Sequence, residues 1–135
     1  MSEIDTFVDE TMSVMAIVVF IARVDDEFHE TERQAVRKVF ADYLDRFGND
    51  FTDSEPGKVA LERILSDLLQ SKPTREGLPE AVGTIERSGR SMRLASFTIR
   101  AMRDVAVADG VGDMNEAYWK NAIHVPLHSI ATRAR

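Results

Sequence analysis

The spacing of apolar residues constrains this fold more than any other feature of the sequence. Between residues 30 and 47, apolar side chains recur at intervals of three and four positions and so fall on one face of a helix: Val36, Val39, Phe40, Tyr43, Leu44 and Phe47. Two further series, in 55–71 and 91–108, repeat this spacing. Alternation with a period of two, which would predict a strand, persists nowhere in the sequence. We therefore expect an all-α fold, with about six or seven helices in a single compact domain that spans residues 1–135.

Glycine and proline mark the expected boundaries of the later helices. A short helix is predicted over about 78–87, and Ser88-Gly89 breaks it. The last helix is predicted to begin near Met114. Val125-Pro126 is expected to kink or end that helix, because a proline disfavours helical conformation in the residue before it.

The longest apolar run, Val14 to Ala22, is too short for a membrane span. It has nine residues, whereas a spanning helix needs roughly 20. We therefore expect a helix buried on most sides, without direct membrane insertion. The first five residues, Met1-Ser2-Glu3-Ile4-Asp5, are acidic, whereas a signal peptide opens with positive charge. The expected location is the cytoplasm.

Composition and charge exclude several classes of site. The chain has no cysteine and only three histidines, which excludes disulfides, thiolate zinc sites and cysteine nucleophiles. Residues 1–70 hold 7 Lys and Arg against 16 Asp and Glu, whereas residues 71–135 hold 10 against 7. The acidic first half argues against nucleic acid as a partner, since phosphate attraction requires a positive face. This charge polarity would serve cation binding, self-association or a polar partner.

A weak internal repeat carries the most specific information. Residues 22–32 can be aligned with residues 106–116, and three pairs are then identical: Ala22 with Ala106, Asp25 with Asp109, and Glu32 with Glu116. Each copy follows an apolar helix and precedes another helix. The repeated unit is therefore a helix, a short acidic loop and a helix.

Helix capping explains part of this spacing. Asp113 and Glu116 form an Asp-x-x-Glu capping pattern, and Glu32 holds the reciprocal position in the first copy. Asp25 and Asp109 precede the caps, at the end of the previous helix, where a carboxylate faces the negative end of the helix dipole. Either an Asx-turn or a bound cation would offset this unfavourable interaction of the two carboxylates with the helix dipole. Both interpretations remain open from the residues alone.

The duplicated loop resembles the TerB family, the tellurite-resistance TerB-like domain. The residues that carry the resemblance are Ala22, Asp25, Asp26 and Glu32 in the first copy, and Ala106, Asp109, Gly110 and Glu116 in the second. Asp26 stands where the family usually has glycine. The resemblance implies a compact all-α fold with a pseudo-twofold helix-loop-helix repeat and no established catalytic activity. It also implies a role in tellurite or stress resistance, or in membrane-associated complexes that sense metal.

Carried over residue by residue, the resemblance gives six candidate metal contacts: Asp25, Asp26, Glu32, Asp109, Asp113 and Glu116. Oxygen-only ligands suit Ca²⁺, Mg²⁺ or Mn²⁺ rather than zinc or copper. Neither loop has the ligand spacing of an EF-hand, so a cation site would be shared between the loops or shallow. The alternative function is a purely structural protein–protein interaction domain whose acidic loops only cap helices.

No enzymatic activity is expected, because the sequence has neither a Gly-x-Ser-x-Gly elbow nor a phosphate-binding P-loop. The basic cluster consists of Arg87, Arg90, Arg93, Arg100 and Arg103. It has no interleaved aromatic residues for stacking bases. It is expected to form a solvated helix face, or alternatively to dock against an acidic surface. A protein partner is expected, and an oligomer is compatible with the sequence.

Overall fold

The computed structural model describes residues 3–22, 30–48, 54–70, 75–109, 123 and 125–132, and within these ranges it contains no strand. It has six α-helices in these ranges: α1 (Glu3–Ala22), α2 (Glu30–Phe47), α3 (Glu55–Gln70), α4 (Leu78–Arg87), α5 (Ser91–Asp109) and α6 (Val125–Ala131). A 3₁₀ turn, Arg75–Gly77, precedes α4. The helices form one compact domain, which confirms the predicted all-α fold class.

The ends of the helices follow local hydrogen bonding. At the start of α3, the Ser54 hydroxyl accepts the backbone N–H of Gly57 at 3.0 Å, which is the geometry of a helix N-cap. At the end of α2, the Gly48 N–H donates to the Leu44 carbonyl at 2.8 Å. The helix predicted to begin near Met114 lies almost entirely outside the described residues, so the prediction that Val125-Pro126 kinks or ends it stays a prediction. Helix α6 begins at Val125, so Pro126 lies in its first turn. Proline is tolerated there because the first N–H groups of a helix have no intrahelical partner.

The long helices α1 and α5 form the centre of the domain. Helix α1 packs against α2, α3, α4 and α5, and helix α5 packs against α1, α2, α4 and α6. The apolar run in the second half of α1 is therefore surrounded by helices, and Val14, Ile17 and Val18 are fully buried. No helix in the described ranges combines the length and apolar character needed to span a bilayer.

An aromatic cluster of Phe7, Tyr43, Phe47 and Phe97 shows the relative directions of helices α1, α2 and α5. The Tyr43 ring lies 6.1 Å from that of Phe7 and 5.5 Å from that of Phe97 between centroids. Phe7 belongs to the first part of α1 and Phe97 to the first part of α5, whereas Tyr43 belongs to the last part of α2. Helices α1 and α5 therefore run away from this cluster, and α2 runs towards it.

This arrangement defines the opposite end of the domain, which we call the Glu32 end. From the aromatic cluster, α1 continues to Ala22 and α5 to Asp109, while α2 begins beyond Glu32. At 1.5 Å of rise per residue, these segments span about 15–25 Å. Because α2 and α5 both pack against α1, we expect the helices that precede the two acidic loops to end near the first turn of α2.

Candidate functional site

The structure describes two of the six predicted metal contacts. Glu32 lies in the first turn of α2, and Asp109 is the last residue of α5, where only the backbone is described. The other four contacts (Asp25, Asp26, Asp113 and Glu116) lie outside the described residues. The predicted ligand set therefore stays a prediction.

Glu32 occupies a core position rather than a surface position. Its residue is 1% exposed, although it is the third residue of α2 and thus stands at the position predicted for a reciprocal cap. It precedes Val36 by four residues and so begins the buried face of α2. Glu30, in the same turn, faces solvent and forms an ion pair with Arg37 at 3.9 Å. The two acidic residues of this turn thus have opposite environments.

The carboxylate of Glu32 has lost its hydration through burial, and other interactions must replace it. Removing an ionised carboxylate from water is costly unless hydrogen bonds, a positive charge or a metal ion replaces the lost hydration. In the described ranges there is no group of three or more Asp, Glu or His side chains placed to hold a metal ion. A cation site at Glu32 would therefore need ligands from residues outside the described ranges.

A second buried glutamate, Glu10 in α1, joins two distant parts of the chain. The Ser88 hydroxyl donates a hydrogen bond to Glu10 Oε2, and the Arg90 Nη2 donates to Glu10 Oε1 at 3.4 Å. The Ser88 hydroxyl also accepts the Arg90 backbone N–H at 3.1 Å. The sequence around Ser88 predicts only a helix break. Glu10, Ser88 and Arg90, which we call the polar anchor, fix the α4–α5 connection to α1.

The sequence contains a signal for a buried polar contact in α1. Glu10 precedes Val14 by four residues and Ile17 by seven, so it falls on the apolar face of α1. Its residue is 5% exposed. An acidic residue at a core position of a helical pattern indicates a buried partner, but the pattern does not identify that partner.

The polar anchor lies beside the aromatic cluster. Burial raises the pKa of the Tyr43 hydroxyl to about 12, because the phenolate would lose its hydration. The Thr11 hydroxyl lowers this pKa, the negative charge of Glu10 raises it, and the positive charge of Arg90 lowers it. Tyr43 therefore stays protonated at neutral pH, as a core aromatic residue rather than an acid or base.

A groove between α1 and α4 opens beside the anchor. It has a volume of about 610 Å³ and includes three carboxylates, from Asp9, Glu10 and Glu80. Much of the remaining lining consists of small residues. The groove is acidic, but its carboxylates do not form a metal-binding group in the described part of the chain.

Comparison with known proteins returned no family model, no curated protein and no solved structure that matches this chain. The functional interpretation therefore depends on the residues and on the geometry above.

Proposed function

We propose that this protein is a non-catalytic TerB-like module that binds a divalent cation at the Glu32 end. The observation that carries the proposal is the burial of Glu32, at 1% exposure, in the first turn of α2. A divalent cation would neutralise this carboxylate. It would also compensate Asp25 and Asp109, which capping does not explain.

The chain lengths are compatible with a shared site. Asp25 follows the end of α1 by three residues, and Asp113 follows the end of α5 by four. A chain reaches at most about 3.5 Å per residue, so the Cα atoms of both residues stay within roughly 10–14 Å of a helix end. If α1 and α5 end in the same region, as we expect from their packing, a site built from both loops and Glu32 is within covalent reach.

The chemistry of the predicted donors supports the choice of cation. Carboxylate oxygens select Ca²⁺, Mg²⁺ or Mn²⁺. Bound cation would stabilise the Glu32 end, and this surface would then be recognised by a protein partner. In line with the resemblance, we place this activity in a cytoplasmic stress-resistance or membrane-associated complex.

Thermal unfolding in the presence of CaCl₂, MgCl₂ or MnCl₂ tests the proposal. A ligand that binds only the folded state at about 100 times its Kd stabilises that state by about 2.7 kcal/mol, which raises Tm by roughly 8 °C in a domain of this size. Asp109→Asn and Glu32→Gln are expected to abolish the increase while circular dichroism shows unchanged helix content. Glu30→Gln is the matched control, because Glu30 lies in the same turn but faces solvent.

The structural alternative is favoured by one observation, the position of Glu32 at the third residue of α2. A reciprocal cap can be formed by glutamine as well as glutamate, whereas a neutral amide is a far weaker cation ligand. If Glu32 only caps the helix, millimolar cations will leave Tm unchanged, and Glu32→Gln will unfold at nearly the wild-type temperature. That pair of results would refute the cation site and support an interaction domain.

A further inference from the structure

The arginines predicted to form one basic face are divided by the fold. Arg87 belongs to α4, and Arg90 pairs with the buried Glu10. Arg93 and Arg100 instead line an open groove together with Arg46 from the end of α2. The sequence did not indicate Arg46, because it lies in another helix and precedes these residues by more than forty positions.

The groove combines positive charge with a partly apolar surface. It has a volume of about 300 Å³, within the range of ligand sites in proteins. Its lining consists of Arg46, Phe47, Met92, Arg93, Ser96, Phe97, Arg100 and Ala131. The half-buried Met92 and Ala131 provide apolar surface, and the three arginines are exposed.

Two of the three guanidinium groups stack on aromatic rings. The Arg93 guanidinium carbon lies 5.3 Å from the centroid of Phe47, and that of Arg46 lies 5.8 Å from the centroid of Phe97. Such cation–π contacts restrict the arginine side chains and aim them at the groove. The positive groups are therefore partly organised before any ligand binds.

The same arginines contrast with two others in the chain. Arg37 and Arg90 each form an ion pair with a glutamate. Arg46, Arg93 and Arg100 form no ion pair with any residue that the structure describes. Three uncompensated arginines around one groove are notable in a chain with a net charge of −6, and they favour an anionic ligand.

The geometry argues for carboxylates on a peptide rather than for a nucleic acid. Phe47 and Phe97 are each 7% exposed and are covered by guanidinium groups, so bases could not stack on them. Arg93 and Arg100 are two helical turns apart, which corresponds to about 10 Å. Glutamates two turns apart on a peptide helix match that spacing.

We propose that this groove docks an acidic segment of a partner protein, with two carboxylates on Arg93 and Arg100 and an apolar side chain against Met92. Arg46, on the opposite wall, would receive a further carboxylate. Guanidinium groups bind carboxylates in bidentate geometry, and methionine adapts to apolar side chains of different shape. The groove adjoins the aromatic cluster and so lies away from the Glu32 end.

Fluorescence anisotropy with a labelled helical peptide tests this site. The peptide carries two glutamates two turns apart with leucines between them, and EDTA is present so that the cation proposal is not involved. We expect binding, and we expect Arg93→Gln/Arg100→Gln to weaken it about tenfold, as for the loss of two charge-assisted contacts. Arg103→Gln, an exposed arginine of α5 outside the groove, is the matched control and should change the Kd by less than about twofold.

Chemical-shift mapping of the ¹⁵N-labelled full chain locates the peptide. Perturbed amides are expected at Ser96, Phe97 and Ala131. The proposal is overturned if millimolar peptide perturbs no groove residue, or if the glutamine version of the peptide binds equally well. It is also overturned if single-stranded oligo(dT) binds at least as tightly. If light scattering instead shows self-association that Arg93→Gln/Arg100→Gln abolishes, a second copy of this chain occupies the groove.

Discussion

Replacing Glu10 with glutamine removes the charge from the polar anchor while preserving its shape. The amide oxygen of glutamine still accepts the Ser88 hydroxyl, so the substitution isolates the interaction with Arg90. In the folded protein this pair is 3.4 Å apart, with side chains that are 7% (Glu10) and 32% (Arg90) exposed. A second ion pair, Glu30 with Arg37, is 3.9 Å apart and 64% and 51% exposed, respectively. The chain thus provides its own comparison between a sheltered and a solvated ion pair.

The expected coupling energy of each ion pair depends on how exposed its two side chains are. At about 4 Å and an effective dielectric constant near 20, two unit charges attract by about 4 kcal/mol. Arg90 is 32% exposed, so solvent screening reduces this attraction to a coupling of about 1–2 kcal/mol between Glu10 and Arg90. Solvent screening reduces the Glu30–Arg37 coupling to about 0.2–0.5 kcal/mol.

Two double-mutant cycles measure these couplings. The first uses Glu10→Gln, Arg90→Gln and the double variant, and the second uses Glu30→Gln, Arg37→Gln and their double variant. Urea unfolding followed by circular dichroism gives each free energy of unfolding. Arg90 also stacks on Phe47, at 5.4 Å from its centroid, but that loss occurs in both Arg90 variants and cancels in the cycle.

The reasoning would be refuted by equal couplings. If the two cycles agreed within about 0.3 kcal/mol, the usual limit of additivity, burial would have no influence on the Glu10–Arg90 pair. Raising the ionic strength to 1 M is a second check, because it should reduce the Glu30–Arg37 coupling and leave most of the Glu10–Arg90 coupling.

Two further predictions concern Tyr43 and Ser54. The folded-state pKa of Tyr43 is about 12, above the unfolded value near 10, so its contribution is complete below pH 10 and is lost as the pH rises towards 12. Stability is expected to fall by roughly 3 kcal/mol over that window, and pH-dependent urea melts should show no such loss in Tyr43→Phe. Ser54→Ala removes the N-cap of α3 and should cost about 1 kcal/mol, whereas Ser66→Ala, on the exposed face of α3, should cost less than about 0.5 kcal/mol in the same assay. Equal losses for the two serines would exclude the capping role.

The helices could be predicted from the sequence because helix formation depends on residues that are close together in the chain. The apolar series from Val36 to Phe47 indicated a helix over about 30–47, and α2 occupies Glu30–Phe47. Neighbours three and four residues apart share a helix face wherever the helix lies. The same rule would have indicated burial at Glu10, which lies on the face of Val14. The sequence pattern could indicate that Glu10 is buried, but it could not identify Ser88 and Arg90 as its partners, because they are distant in the chain.

The candidate sites depended on tertiary structure to different degrees. Glu32 was selected from the repeat as a cap or ligand, but the sequence did not predict that it would be buried. The arginine groove could not be predicted, because Arg46 and Arg93 belong to different helices and their spacing follows from how α2 packs on α5.

The sequence alone determined that this chain is all-α and where most of its described helices begin and end, because helix formation depends on contacts within a few residues. Tertiary packing decided which charged side chains lost water and which stayed exposed. Glu10 meets Ser88 and Arg90 only because α1 packs against α4 and α5. Arg93, three residues after Arg90, stays exposed and joins Arg46 at a groove. The physical reason is that desolvation depends on neighbours in space, which residues distant in the chain provide.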